Sequence, residues 1–382
     1  MKIVFALDSF KGCLSSIEAA NEAAKGAKKV FPKAKIEKIA VADGGEGTLE
    51  AFASLGGART IFVKVSNPVG AKVSAKYALF KDGGALCAAV ESAQAAGITL
   101  LKKPDPLGAS TFGLGEIILS AYARGARKFI VGLGGSATTD GGMGMLASLG
   151  AEFFDKSGKP LLSFGGGNLG KVARADFSKL SKFARCEFTI LCDVKNPLCG
   201  KLGAAAVFSP QKGADKKQAA ELERGMKIYA RAVAKARGAD FSKREGAGAA
   251  GGLGFAFMAA LGAEKKSGID GVLDAVGFDR RIEGADIVIT GEGRLDGQSA
   301  MGKTPCGVAR RAKARAIPVI ALGGGVADGA ESLHKCGVSA MFPIVRAPVS
   351  LAEALEKNNA RKNLRLCAES VFRLAKTFSK QL

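Results

Sequence analysis

Short runs of β-branched and other apolar residues alternate along the chain with alanine-rich stretches whose apolar positions recur every three or four residues. That alternation predicts an α/β protein on a largely parallel sheet. Lys2 to Leu7 reads as a buried strand. The helix after it opens on a capping box, Ser15 with Glu18 three residues on, and carries Ile17, Ala20, Ala24, Ala27 and Phe31 near helical spacing. Ile36 to Val41 reads as a second strand and about Glu46 to Leu55 as a second helix, so the chain begins with a βαβ unit.

From Ile61 to about Val90 the pattern becomes strand after strand. Val63, Val65, Val73, Ala75, Tyr77 and Leu79 alternate, with a Lys81–Gly84 turn, as in a mixed or antiparallel sheet. A helix Phe112 to Arg124, strands Lys128 to Gly132 and Phe188 to Cys192, and a long helix Lys216 to Lys235 follow. The opening style then returns, with strands Asp286 to Thr290, Pro318 to Leu322 and Ala340 to Ile344, a helix Val308 to Arg315 and a terminal helix from about Ala360. The expected fold class is α/β with two different domains. Residues 1–62 and 284–382 form a Rossmann-like parallel-sheet domain from both chain ends, and residues 63–283 an inserted mixed-sheet α/β domain.

Composition narrows the chemistry. With 382 residues, 47% hydrophobic and 24% charged, the chain has the proportions of a soluble globular protein. It has one histidine, His334, which removes most histidine-based triads and metal sites, so carboxylates, lysines and backbone amides must carry any catalysis. The net charge of +21 raises the question of nucleic acid, but the bases are scattered over helical stretches with no arginine-rich block between aromatics. They read as a solvated face, with attraction of small anions as the alternative. The eight cysteines contain no C-x-x-C pair and read as free thiols in a reducing cytoplasm. Asp8 cuts the apolar start short, so no secretory leader is read, and the uncharged run Gly246 to Ala263 holds too many glycines for a membrane span.

Five strand ends share one chemical palette: Asp8 to Gly12, Asp43 to Thr48, Gly132 to Gly142, Asp193 to Pro197 and Gly291 to Asp296. In open α/β sheets that is where ligands sit. Any one of them is explained by turns and helix caps, whereas five together match what phosphoryl transfer from a nucleotide needs: glycine amides for phosphate, lysines for charge, carboxylates for Mg²⁺. Gly297 to Thr304 spells a P-loop, but Gly291 to Asp296 reads as intervening loop and Pro305 follows at once. Gly246 to Gly251 spells G-x-G-x-x-G without a preceding strand and reads as close packing. The loop from Gly132 to Ala137, with Glu152 downstream, supports an alternative: a nicotinamide-dependent dehydrogenase of a small hydroxy acid.

These loops, in this order, resemble the bacterial glycerate kinase family, of the type I, D-glycerate 2-kinase-like kind. The matching segments include Asp8–Gly12, Ala42–Thr48, Val90–Ala93, Gly132–Gly144, Cys192–Leu198, Phe208–Ala214, Gly246–Gly254 and Thr290–Arg294 with Asp296, Gln298, Gly302 and Lys303. The resemblance implies ATP, Mg²⁺ and D-glycerate meeting in the cleft between the two domains, with phosphoglycerate and ADP as products, 2-phosphoglycerate favoured over 3-phosphoglycerate. From the cysteines and the scattered charge the chain is read as cytoplasmic, with no nucleic-acid or membrane partner, and as a monomer or homodimer. On the kinase reading Gly134, Gly135, Ser136, Thr138, Thr139 and Lys303 bind the nucleotide, and Asp193 and Asp43 hold the metal. Asp8, Ser9, Lys11 and Arg294 bind substrate, with Lys11 and Arg294 neutralising the transferring group. Asp296, with Asp193 second, takes the acceptor proton.

Overall fold

The computed structural model describes residues 1–45 and 47–378; Glu46, expected at the start of the second helix, lies outside the described residues. The chain forms two compact units, Met1–Leu55 with Ser267–Leu382, and Gly56–Lys266. The divisions fall earlier than 62/63 and 283/284. Strand Arg59–Ser66 pairs along its whole length with Lys72–Asp82, and helices Gly268–Ala275 and Phe278–Arg281 are tied to helix Thr304–Lys313 by Arg311, which meets Asp274 and Asp279 at 2.7 Å each.

Unit one is a five-stranded parallel sheet in the order Val338–Pro343, Val319–Val326, Ile287–Leu295, Lys2–Leu7, Lys35–Lys38. The chain leaves Lys2–Leu7 in one direction and Ile287–Leu295 in the other, so a topological switch lies between these strands, the usual place for a ligand crevice. Ile3, Phe5 and Leu7 pack with helices Ser16–Val30 and Lys357–Phe378, and the Phe5 and Phe372 rings lie 6.3 Å apart. The capping box forms as expected: the Ser15 hydroxyl accepts from the Glu18 amide, and the Glu18 carboxylate accepts from the Ser15 amide. Such a cap is worth about 1 kcal/mol. Ser16 donates to the Leu7 carbonyl and accepts from the Val41 amide, joining two strand ends.

Three expectations change here. The ladder of the second strand stops at Lys38, and buried Ile39 to Ala42 continue beyond it to Asp43. Strand Ile287–Leu295 runs through the glycines read as loop, because parallel pairing with Val319–Val326 extends to Leu295 opposite Val326. Cys306 and Cys336, 5.3 Å apart at Cα, form a disulfide, which corrects the reading of eight free thiols; their separation of 30 residues hid the pair from any spacing argument.

Unit two is a six-stranded mixed sheet in the order Glu264–Lys266, Glu187–Leu191, Lys128–Gly132, Ala85–Glu91, Lys72–Asp82, Arg59–Ser66. The first four run parallel and the last two pair antiparallel. Phe129 stacks on Phe188 at 4.7 Å in its core. The long helix, Lys216–Arg237, starts on a second capping box, Asp215 with Gln218. Among the described residues no helix is long and apolar enough to cross a membrane.

Candidate active site

In unit one the sequence places acids at the ends of three strands, and the fold draws them into one electrostatic cluster. Asp8 is buried at the end of Lys2–Leu7. One carboxylate oxygen accepts from the Ser9 amide at 2.6 Å and the other from the Thr304 hydroxyl at 2.5 Å. Burial, and after it the negative charge of Asp43, push the Asp8 carboxyl up to about 7 against these two hydrogen bonds; Glu292 adds a smaller push. Glu292 is nearly buried on strand Ile287–Leu295, where its carboxylate accepts from the Ser299 hydroxyl. Burial raises its proton affinity too, opposed by that bond and by the positive charges of Lys303 and Lys11. Asp8 and Glu292 each sense the charge of Asp43, and Lys303 and Lys11 act on Glu292.

Asp43 sits in a turn in which its carboxylate accepts from the Gly45 amide at 3.1 Å. Asp296 is placed differently. One oxygen accepts from the amides of Gln298 and Ser299, and the other faces an exposed Arg294 at 3.7 Å. It caps the turn that leads into helix Thr304–Lys313. Two buried hydroxyls on these loops, Ser9 and Thr48, have no hydrogen-bond partner. Such orphans ask for a ligand or ion, and the loops that carry them also carry Asp8 and Asp43, whose charges act on each other, so the oxygen donors these loops present are of the kind Mg²⁺ takes. Among the described residues no three acidic, histidine or cysteine side chains converge to hold a metal alone. A cation shared with phosphates needs only one or two carboxylates, so the set fits.

The strand context that Gly297 to Thr304 seemed to lack is present, since Leu295 ends the strand and Thr304 begins the helix. The amides of Gln298, Ser299 and Met301, however, are bonded to Asp296 and Gln298 within the turn rather than left to cradle a phosphate.

In unit two the loop after Lys128–Gly132 is fixed from several sides. Its Ala137 amide donates to the Ala96 carbonyl at 2.7 Å, and its Gly135 carbonyl accepts from the Ile98 amide at 3.0 Å. Asp140, fully buried, accepts from the Thr111 amide and hydroxyl and from the amides of Gly142 and Gly144. Burial raises its pKa, partly offset by these donors. Gly135 reaches the surface, Gly134 is half-buried and Ser136 lies just beneath, whereas Thr138 and Thr139 are enclosed with unpartnered hydroxyls. Asp193 is exposed beyond strand Glu187–Leu191. Asp43 and Asp193 thus belong to different units. The dinucleotide reading fails here: Thr138 to Asp140 pack into the interior, the next helix waits until Met143, and Glu152 is taken by Lys179 at 2.8 Å.

Sequence reasoning missed Lys212. Only 4% exposed, it donates to the Ser136 hydroxyl at 3.0 Å and the Thr138 carbonyl at 2.6 Å, holding the loop from below. Burial lowers its pKa to about 8, opposed by the negative charge of Asp140. The signal was its place in the Phe208–Ala214 segment; one lysine among 56 bases carries none of its own. Lys212→Met is expected to raise the nucleotide KM at least about tenfold with kcat less affected, because it loosens Ser136 and leaves the buried Thr138 carbonyl with only the long 3.5 Å bond from the Ser136 hydroxyl. Steady-state kinetics check this. In wild type the KM should climb above pH 8 as the ammonium deprotonates, a dependence the variant should lack.

Buried acids with lysines at the switch point of one α/β unit, and a braced glycine loop at the strand ends of another, define an enzyme of the small-molecule kinase class. The sequence profile of the glycerate kinase family matches residues 3–376, and the chain belongs to that family. It is 43% identical over 374 residues to the glycerate kinase of Bacillus cereus, covering 97% of each chain, and 43% identical over 357 residues to the glycerate 2-kinase of Escherichia coli K12, covering 93% of each. A crystal structure from Salmonella typhimurium LT2 superposes with a TM-score of 0.89 at 39% identity, covering both chains entirely.

Proposed function

We propose that the enzyme transfers the terminal phosphoryl group of ATP to the 2-hydroxyl of D-glycerate, giving 2-phosphoglycerate and ADP. The observation that carries the mechanism is the Asp8 cluster: a buried carboxylate held by Thr304 and Ser9, with Asp43 and Glu292 beside it. In this reading Asp8 takes the acceptor proton. Asp296, which the sequence favours for that role, keeps the turn that positions Ser299, and with it Glu292. Lys11 and Arg294 meet the glycerate carboxylate and the transferring phosphoryl group, Arg through paired hydrogen bonds. The unit-two loop takes phosphate oxygens on the amides of Gly134 and Gly135 and the Ser136 hydroxyl, while Thr138 and Thr139 support it from inside. Lys303 offsets phosphate charge at a helix start. Asp43, beside the oxygens of Asp8, Ser9 and Thr48, is the proposed metal ligand of unit one, and Asp193 is the acid proposed for that role from unit two. When bound, Mg²⁺ neutralises developing charge on the phosphate oxygens.

A coupled assay of ADP release tests this reading. Release is expected only when D-glycerate and Mg-ATP are both present, with no change in nicotinamide absorbance when NAD replaces ATP. ADP release indifferent to glycerate would reject the substrate.

A further inference from the structure

We infer that a cavity in unit one, beside Lys11 and Arg294, is the seat of the donor nucleotide's base. The inference rests on the kinase reading above and adds a site to it. The cavity measures about 470 Å³ and lies over the ends of strands Ile287–Leu295, Val319–Val326 and Val338–Pro343. That is the size of a pocket for a nucleoside-sized molecule, and too large and too apolar for glycerate.

Its walls are apolar, with Phe10, Val326, Ile344, Val349, Leu351 and Leu355 among them. Several of these are left open: Val326 is 40% exposed, Val349 41% and Leu351 75%. Its glycines come from strand backbone. At Gly324 a Cβ would meet the Gly293 carbonyl at 2.2 Å, so the strands there must run without side chains; at Gly325 a Cβ would find nothing within 4 Å. The result is a surface on which a planar ring can lie against peptide groups. The charged residues lining the cavity are Lys11 and Arg294, with no Asp or Glu among those described. An apolar pocket whose charged lining residues are Lys11 and Arg294, the latter also facing Asp296 at 3.7 Å, is complementary to a molecule with a heteroaromatic body and an anionic tail. For a kinase, that molecule is the nucleotide, with its phosphates leaving toward Lys11 and Arg294.

Gly325→Leu puts a side chain into that open space at a backbone conformation any residue adopts, and Ala354→Trp fills the cavity from a helix on its other side. Mg-ADP binding by titration calorimetry, KM for ATP and for D-glycerate, and melting temperature are measured for wild type and both variants. Each variant is expected to weaken ADP binding and raise the ATP KM at least about tenfold, with the glycerate KM within twofold. Should Gly325→Leu melt far below wild type, Ala354→Trp decides. Unchanged ADP affinity in a folded variant overturns the inference while glycerate turnover upholds the kinase reading. A shift in sedimentation with unchanged ADP affinity overturns it in favour of a second copy of the chain as occupant. Wild type that binds ADP, loses it in the variants and yet fails to phosphorylate glycerate keeps the inference and rejects the substrate.

Discussion

Asp8→Asn is expected to lower kcat by about 10² to 10⁴ while leaving the nucleotide KM within a few-fold. Asparagine keeps the size, and its carbonyl oxygen can still accept from Thr304 or Ser9, so the loss is that of a proton acceptor. Asp296→Asn should cost far less, because an amide oxygen caps Gln298 and Ser299 nearly as well as a carboxylate does. If the two variants exchanged these effects, the proton would belong to Asp296. Misfolding is separated from catalysis by the sign of the stability change. Asp8 binds its proton more tightly folded than unfolded, since its pKa rises from 3.8 to about 7. The stability this contributes is present at low pH and is lost progressively as pH rises toward 7. Metal-free Asp8→Asn lacks the buried charge. Its melting temperature at pH 8 should equal or exceed that of wild type, by as much as several degrees, and the gap should narrow as pH falls below 7 and close only near 3.8.

Gly251→Ala is the second large effect, and it falls on stability and loop position together. Gly251 has φ +71, and a Cβ there would stand 1.9 Å from the Thr138 carbonyl oxygen, which Lys212 also holds. Backbone cannot yield as a flexible side chain does. Overpacking and the left-handed conformation together should cost about 3 kcal/mol or more, read as a lower denaturation midpoint with an unchanged slope. The surviving folded protein should show a raised nucleotide KM, because Thr138 can retreat only by moving the loop. Gly262→Ala is the control: its φ is also positive, +66, but a Cβ there meets nothing within 4 Å. It should show the backbone cost alone.

What the chain reveals before folding is the local part. The Ser15–Glu18 capping box, the alternation through Val63 to Leu79 and the strand at Lys2–Leu7 were legible because each is decided by neighbours a few residues apart. Gly291 to Leu295 was misread for the opposite reason: glycine-rich sequence has weak strand preference, and parallel pairing with Val319–Val326 overrides it. The candidate loops are legible at the strand ends, but how the acids within them differ in burial and partners is not. Asp8, Asp43 and Glu292 look alike as strand-end acids, and only their mutual repulsion and burial single out Asp8. Asp296 is read from sequence as the proton acceptor; in space it caps a turn and faces Arg294, which no neighbour-to-neighbour pattern shows. Lys212 acquires meaning only when Ser136 and Thr138, far away in sequence, arrive above it. Cys306 and Cys336 are likewise joined by the packing of separate elements.

The most direct measurement is identification of the phosphorylated carbon by NMR after the purified enzyme has acted on carbon-13-labelled D-glycerate with Mg-ATP. Phosphorus coupling at carbon 2, in stoichiometric balance with ADP and appearing about 10² to 10⁴ times more slowly with Asp8→Asn, is the predicted result. Coupling at carbon 3, or undiminished product from Asp8→Asn, would contradict the account.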